Sequence, residues 1–265
     1  MLNVTVIQPP YFAGENPSEK IADFLLSEAE KAKSGLILMP EYSNAGGVSD
    51  AESELAALPR AEKMLARASE IAKEKGSYVG VNVLEKRSGD IYNSTYLFNK
   101  KGEVAFVYDK IHLPPSEVTL GVKYGDGACV CELDGIKFGF MTCYDVYFNE
   151  QIEFLAKNKP DIILVPGYQR GERTDIICAQ ARLTAFRCNA FVVRSSYSMN
   201  DENHGGNSMI VAPDGEILVN IGKEIGSISF EINEKEKFMR SAGFGGGTVR
   251  GDDFINDGLR PEIFK

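Results

Sequence analysis

The chain reads as an α/β fold in which two β-sheets stack face to face beneath outer helices, and three observations lead there. The first forty residues run strand, helix, strand; short buried strands alternate with helices of 3.6-residue period in the second half; and a β-rich stretch of hairpin-like strands lies between. The 265 residues are 43% hydrophobic and 25% charged, enough apolar material for one sizeable core. No Pro/Gly/Ser-rich linker, low-complexity tract or repeat divides the sequence, so a single domain over 1–265 is expected.

Residues 2–8 (LNVTVIQ) are β-branched and alternate, the pattern of a strand. Residues 16–33 carry a proline and a serine at their start, acidic residues early and apolar positions at helical spacing, which predicts an amphipathic helix. A short buried strand over 34–41 ends at Pro40. A helix over 59–76 precedes a strand over 77–87, and strands follow at 91–99 and 104–113, joined by a turn at KKGE. ACVCELDG and residues 136–143 complete this β-rich middle. Helix 147–159 then leads into strand 161–167, helix 174–189 and strand 190–197. Residues 205–222 form a hairpin about Pro213-Asp214-Gly215, and 225–233 a last strand. The tail, 241–265, is glycine-rich with little helical pattern and is open to two roles: wrapping a partner subunit or bordering a pocket.

Composition excludes several functions. A net charge of -9 argues against nucleic acid as a partner, because a phosphate-backbone binder needs a concentrated basic surface. The N-terminus lacks a basic region followed by a long apolar stretch, and no segment has membrane-spanning length, so a cytoplasmic protein without a membrane partner is expected. Five cysteines, at 129, 131, 143, 178 and 188, lack paired CxxC spacing. With only His112 and His204 as imidazoles, no His-rich metal centre can be assembled. Thiol chemistry, or no cysteine chemistry at all, remains.

In layered α/β folds, the carboxyl ends of buried strands line the crevice where ligands bind. Three such ends deliver Glu41 (LILMPE), Lys110 (VAFVYDK) and Cys143 (FGFMTC): a base, a cation and a nucleophile. An isolated thiol is mostly protonated at neutral pH, so a carboxylate that takes its proton and an ammonium that favours the thiolate both assist attack. The ammonium also suits the oxyanion formed when a carbonyl or nitrile carbon is attacked, and the Tyr144 N–H is a candidate second donor. Each residue has an ordinary alternative: a strand-end cysteine packs as a small hydrophobe, and a Glu or Lys there is solvated rim. Cys129, Cys131, Cys178 and Cys188 stay in that class.

LILMPE, YDKIHLPPSE and GFMTCYDVYFNE resemble the three signature blocks of the nitrilase superfamily, the carbon–nitrogen hydrolases with a Glu-Lys-Cys triad, in the family's order. The likeness continues through the opening strand, ARLTAFRCNAFVVRSS and GGNSMIVAPDGEIL. It implies a four-layer α-β-β-α sandwich, a homodimer joined through its helical faces, and neither metal nor organic cofactor. By resemblance, Glu41 is the base, Lys110 the oxyanion-stabilising lysine and Cys143 the nucleophile. Glu117 matches a further glutamate beside the lysine, and His112 a histidine that supports the lysine loop. Glu150 matches the glutamate that ends the cysteine block, in a salt-bridge or helix-start role. The chain departs from the family at Asn149, at Arg187 and Cys188, and at Arg194-Ser195-Ser196, none of them in the triad.

The reading that results is a thiol hydrolase acting on a small amide or N-carbamoyl compound through a Cys143 thioester. Alternatives are a nitrilase acting on a small nitrile, acyl transfer to an amine, and a non-catalytic binding protein on the same fold. Arg170 and Arg173, in GYQRGER, follow a strand end on the presumed rim and either hold a substrate carboxylate or lie at the surface or a dimer contact. Tyr168, Tyr144 and Tyr147 either shape an apolar pocket or pack.

Overall fold

The structure, a computed structural model, describes residues 1–265 other than 13, 14, 49, 128, 261, 264 and 265. Its first half comprises β1 (Leu2–Gln8), α1 (Pro17–Lys31), β2 (Leu36–Leu38), α2 (Ala51–Ala57), α3 (Arg60–Lys75), β3 (Tyr78–Arg87), β4 (Asp90–Phe98), β5 (Val104–Asp109) and α4 (Pro115–Leu120). There follow β6 (Val130–Leu133), β7 (Ile136–Phe140), a 3-10 turn over Cys143–Tyr147, α5 (Asn149–Asn158), β8 (Ile162–Pro166), α6 (Thr174–Cys188) and β9 (Phe191–Ser195). The last elements are β10 (Met209–Val211), β11 (Ile217–Asn220), β12 (Gly226–Ile232), β13 (Met239–Ser241), β14 (Thr248–Arg250) and α7 (Gly251–Asn256).

The strands form two six-stranded sheets, β12-β1-β2-β3-β4-β5 and β11-β10-β9-β8-β7-β6, with β13 and β14 as a separate hairpin. Side-chain alternation sets the layers. Leu36 and Leu38 of β2 join the core shared with Phe138, Phe140, Ile162 and Leu164 of the second sheet, whereas Ile37 packs with Ile21 and Leu25 of α1 and with Met64 and Ile71 of α3. Tyr78 meets Phe138 edge-on across the two sheets, centroids 5.7 Å apart. On the far side, Ile152 and Leu155 of α5 and Ile177 and Ala181 of α6 cover the second sheet, completing an α-β-β-α sandwich.

Strand direction positions the site. β1, β2 and β3 are parallel, β4 reverses, and β5 reverses again, so β2, β3 and β5 end on the same rim. In the second sheet β7, β8 and β9 are parallel, which brings their carboxyl ends together as well.

Several boundaries differ from the sequence reading. The helix expected from residue 147 begins at Asn149, because Cys143–Tyr147 winds as a separate 3-10 turn and Phe148 is extended (φ -105°, ψ 111°). The strands expected to reach 113 and 143 stop at Asp109 and Phe140, leaving Lys110 and Cys143 outside the ladders. Two short helices, α2 and α4, went unread; the Asp50 side chain accepts from the Ser53 N–H to cap α2. The tail holds a hairpin and α7, which packs on α5 and α6. Arg187 of α6 ties these helices together, donating to Glu153 of α5 and to Asn256 of α7. Asp252 of α7, fully buried, accepts from Asn189.

Candidate active site

Glu41 follows β2 in a turn over residues 41–47, Lys110 follows β5 directly, and Glu117 lies in α4. Their side chains converge. Lys110 Nζ donates to Glu41 Oε1 at 2.7 Å and to Glu117 Oε1 at 2.9 Å, with Lys110 1% exposed and Glu41 2%. Asn93 of β4 donates to the same two oxygens, at 2.8 Å and 3.0 Å, and Tyr42 donates its hydroxyl to Glu117 Oε1 at 2.8 Å. Asn93 is oriented from behind by Asn82 of β3, whose amide donates to Asn93 Oδ1 at 2.7 Å while its own oxygen accepts the Tyr42 N–H. These are the bonds a buried charge cluster requires.

Two carboxylates surround one ammonium. Burial works against the charge on Lys110, but Glu41 and Glu117 outweigh it and hold the lysine firmly protonated. Burial pushes the Glu117 carboxyl up, and Lys110 opposes that shift only in part. Glu117 Oε2 is buried and, among the described residues, has no hydrogen-bond partner.

Cys143 opens the 3-10 turn in a left-handed backbone conformation (φ 47°), unusual for a residue other than glycine. A sharp turn leaving a strand lifts the side chain off the sheet, and strain of this kind, about 1–3 kcal/mol, persists only where surrounding bonds enforce it. Asp145, fully buried, supplies them. Its Oδ2 accepts from the Thr142 N–H and the Tyr108 hydroxyl, each at 2.7 Å, and its Oδ1 accepts from the His112 N–H at 3.0 Å and contacts His112 Nδ1 at 2.9 Å. One carboxylate thus joins the cysteine turn to the loop that carries Lys110. Burial and the neighbouring Glu41 raise the Cys143 thiol pKa well above normal; Lys110 and the Tyr168 backbone N–H favour the thiolate.

The second sheet supplies the opposite wall. Tyr197 donates to the backbone oxygens of Glu41 and Tyr42 at 2.8 Å and 3.0 Å, and Tyr168 accepts the Gly47 N–H at 2.9 Å. Gly46 is required for this approach: a Cβ there would stand 2.5 Å from the Tyr197 hydroxyl.

Of the residues singled out in the sequence, the structure brings Glu41, Lys110, Glu117 and Cys143 together. Tyr144, second in the 3-10 turn, has its N–H among the first amides of a helical turn, which lack intrahelical partners. Its ring packs on Tyr147 and Phe148. His112 stacks on Phe148 at 3.8 Å, and its Nε2 lies 3.3 Å from Glu150 in the first turn of α5. The Arg170 guanidinium sits 4.7 Å over the Tyr168 ring. Arg173 is exposed, paired with Asp175 at the start of α6, and makes no contact with the cluster. Sequence reasoning missed Asn93, Asn82, Asp145 and Tyr197. The available signal was polar residues inside otherwise apolar strands, as in VGVNVLE and IYNSTYLF.

The chain is similar to known proteins over most of its length. The chain is 27% identical to 2-oxoglutaramate amidase of Bacillus subtilis over 231 residues, 83% of this chain and 86% of that protein. It is 28% identical to omega-amidase NIT2 of Xenopus tropicalis over 225 residues, 79% and 80% of the respective chains. A mutant of an amidase of the nitrilase superfamily from Nesterenkonia AN1 superposes with a TM-score of 0.77 at 18% identity, covering 99% of this chain and 95% of that one. A mutant of the same amidase, bearing acrylamide added at its active-site cysteine, superposes at 0.74 with 19% identity, covering 88% and 93%. These structural likenesses bear on the fold. The carbon-nitrogen hydrolase family profile matches residues 3–235, nearly the whole chain, and the protein belongs to that family.

Proposed function

We propose that this carbon-nitrogen hydrolase is an amidase with Cys143 as nucleophile, Glu41 as general base and acid, and Lys110 as the cation that holds the oxyanion. The observation that carries the reading is Cys143 at a left-handed turn beside a buried Glu41–Lys110 pair. The raised thiol pKa means that the resting enzyme holds a neutral thiol, so the proton leaves as attack occurs.

Cys143 Sγ bonds to the amide carbon while its proton passes to Glu41 and the carbonyl oxygen takes the negative charge, facing Lys110 and the Tyr144 N–H. Glu41 returns the proton to the nitrogen, the C–N bond breaks and ammonia leaves a thioester. Water gives a proton to Glu41 and attacks the thioester carbon; the C–S bond breaks, the acid departs and the thiol regains the proton. Glu117, raised by burial and bonded to Lys110, keeps the ammonium in place.

For substrate, the reading is a small ω-amide carrying a distant carboxylate, supported by the activities named for the two amidase relatives and by Arg170, an exposed guanidinium held over the Tyr168 ring at the edge of the cluster. Ammonia release is measured for wild type and Cys143→Ala on ω-amides, N-carbamoyl amino acids, N-carbamoyl amines and nitriles. Release from ω-amides that vanishes with the mutation is expected. Release confined to carbamoyl compounds or nitriles overturns the substrate class, and release retained by the variant overturns the thiol mechanism.

A further inference from the structure

Arg194 lies in β9 opposite Val165 of β8, in the Arg194-Ser195-Ser196 run where the sequence departs from its family resemblance, and its side chain is fully buried. Nη1 donates to the Gly206 and Asn207 carbonyls at 2.6 Å and 2.8 Å, and Nη2 to Gln169 Oε1 at 3.1 Å. All three acceptors are neutral, and no carboxylate among the described residues forms an ion pair with it. Enclosing a guanidinium this way is costly, and an apolar side chain of similar volume would avoid the cost.

The surroundings are built around the charge. Gly205, Gly206 and Asn207 are consecutive left-handed residues (φ 64°, 58° and 59°), an arrangement that turns two successive carbonyls onto one nitrogen. Gly206 admits no side chain, since a Cβ would meet the Gly222 oxygen at 2.6 Å. On the other side, a Cβ at Gly167 would lie 3.3 Å from Nη2, so the guanidinium rests against the segment 167–169. That segment carries Tyr168, whose backbone N–H favours the Cys143 thiolate, and Gln169, whose amide donates to the Tyr147 hydroxyl in the cysteine turn. A cavity of about 10 Å³ touches both Arg194 and Val146 of the same turn.

We propose that Arg194 is a positioning residue for the nucleophile: an unneutralised guanidinium behind the Cys143 turn that holds negative charge on the sulfur and braces the 167–169 segment beside it. Burial lowers the Arg194 pKa to about 10, and the groups whose charge opposes that shift are Cys143, Cys178 and Tyr147, with no carboxylate among them. Lys110 cannot fill this role alone, since two carboxylates already share its charge. The inference rests on the assignment of Cys143 as nucleophile.

The test uses the full chain. Alkylation of Cys143 by iodoacetamide is followed by peptide mass spectrometry from about pH 6 to about pH 10 in wild type, Arg194→Met, Arg194→Lys and Gln169→Glu. Arg194→Met is expected to slow alkylation about tenfold at each pH across this range, the thiol being mostly neutral throughout. Arg194→Lys keeps most of the wild-type profile. Gln169→Glu leaves the guanidinium in place but neutralises it, and slows alkylation across the range too. A folded Arg194→Met with an unchanged profile overturns the proposal; should that variant fail to fold, an unchanged profile in Gln169→Glu does so. Failure of the nucleophile assignment is read separately, as ammonia release persisting in Cys143→Ala.

Discussion

Lys110 and Arg194 are both buried cations beside Cys143, at 1% and 2% exposure, and they are solved in opposite ways. Lys110 is held by Glu41 and Glu117 and stays protonated against its burial. Arg194 has only two carbonyls and an amide oxygen, and burial lowers its pKa. The difference teaches that charge in this site is divided between the sheets. The first sheet builds a self-contained carboxylate–lysine cluster, whereas the second carries Cys143, the proposed nucleophile, together with a guanidinium that no carboxylate among the described residues neutralises.

The largest expected effect falls on the element both cations serve. Cys143→Ala is expected to lower amide turnover by about 10⁴-fold or more while leaving the fold intact, checked by ammonia release and thermal unfolding together. Next, Lys110→Met leaves two buried carboxyls facing each other without a cation, and should cost about 3–5 kcal/mol of stability by denaturant unfolding as well as the activity. If the first sheet's cluster were not self-contained, that loss would be small. Asn93→Leu removes one donor shared by Glu41 and Glu117 and one of the two acceptors of the Asn82 amide, which keeps Thr95; a loss of about 1–3 kcal/mol is expected in the same assay.

Arg170→Ala acts at the rim. It should raise KM for ω-amides that carry a carboxylate by about tenfold or more with little change in kcat, and leave amides without a carboxylate unaffected. The smallest effect is pH-dependent. The hydrogen bond to Asp145 raises the His112 pKa above its unfolded value, so its stabilisation is fully present below the unfolded pKa and fades as pH rises through the folded one. The stability gap between wild type and His112→Gln should therefore be widest on the acid side and close on the alkaline side, as read by urea unfolding at several pH values.

The order of strands and helices was legible because amphipathic helices such as α3 carry a strong period and fully buried strands such as IILVP stand out as short continuous apolar runs between them. Glu41, Lys110 and Cys143 were legible because each follows a strand ending on the same rim, in a block with a known resemblance. Asn82 and Asn93 stand out locally only as polar residues in apolar strands, and their partners, like those of Asp145, lie far apart in the chain, where no local pattern displays them. The left-handed turn at Cys143 was equally hidden: cysteine is not a residue that announces positive φ, and the bonds that hold it come from Asp145. Arg173, three residues after Arg170, is exposed at the start of α6 and pairs instead with Asp175.

The most direct test of the central claim is rapid-quench mass spectrometry of the enzyme during turnover of an ω-amide. The expected result is an acyl group on the peptide containing Cys143, formed before steady-state ammonia release and absent from Cys129, Cys131, Cys178 and Cys188. Ammonia release at full rate with Cys143 unmodified throughout, and unchanged in Cys143→Ala, would contradict the account.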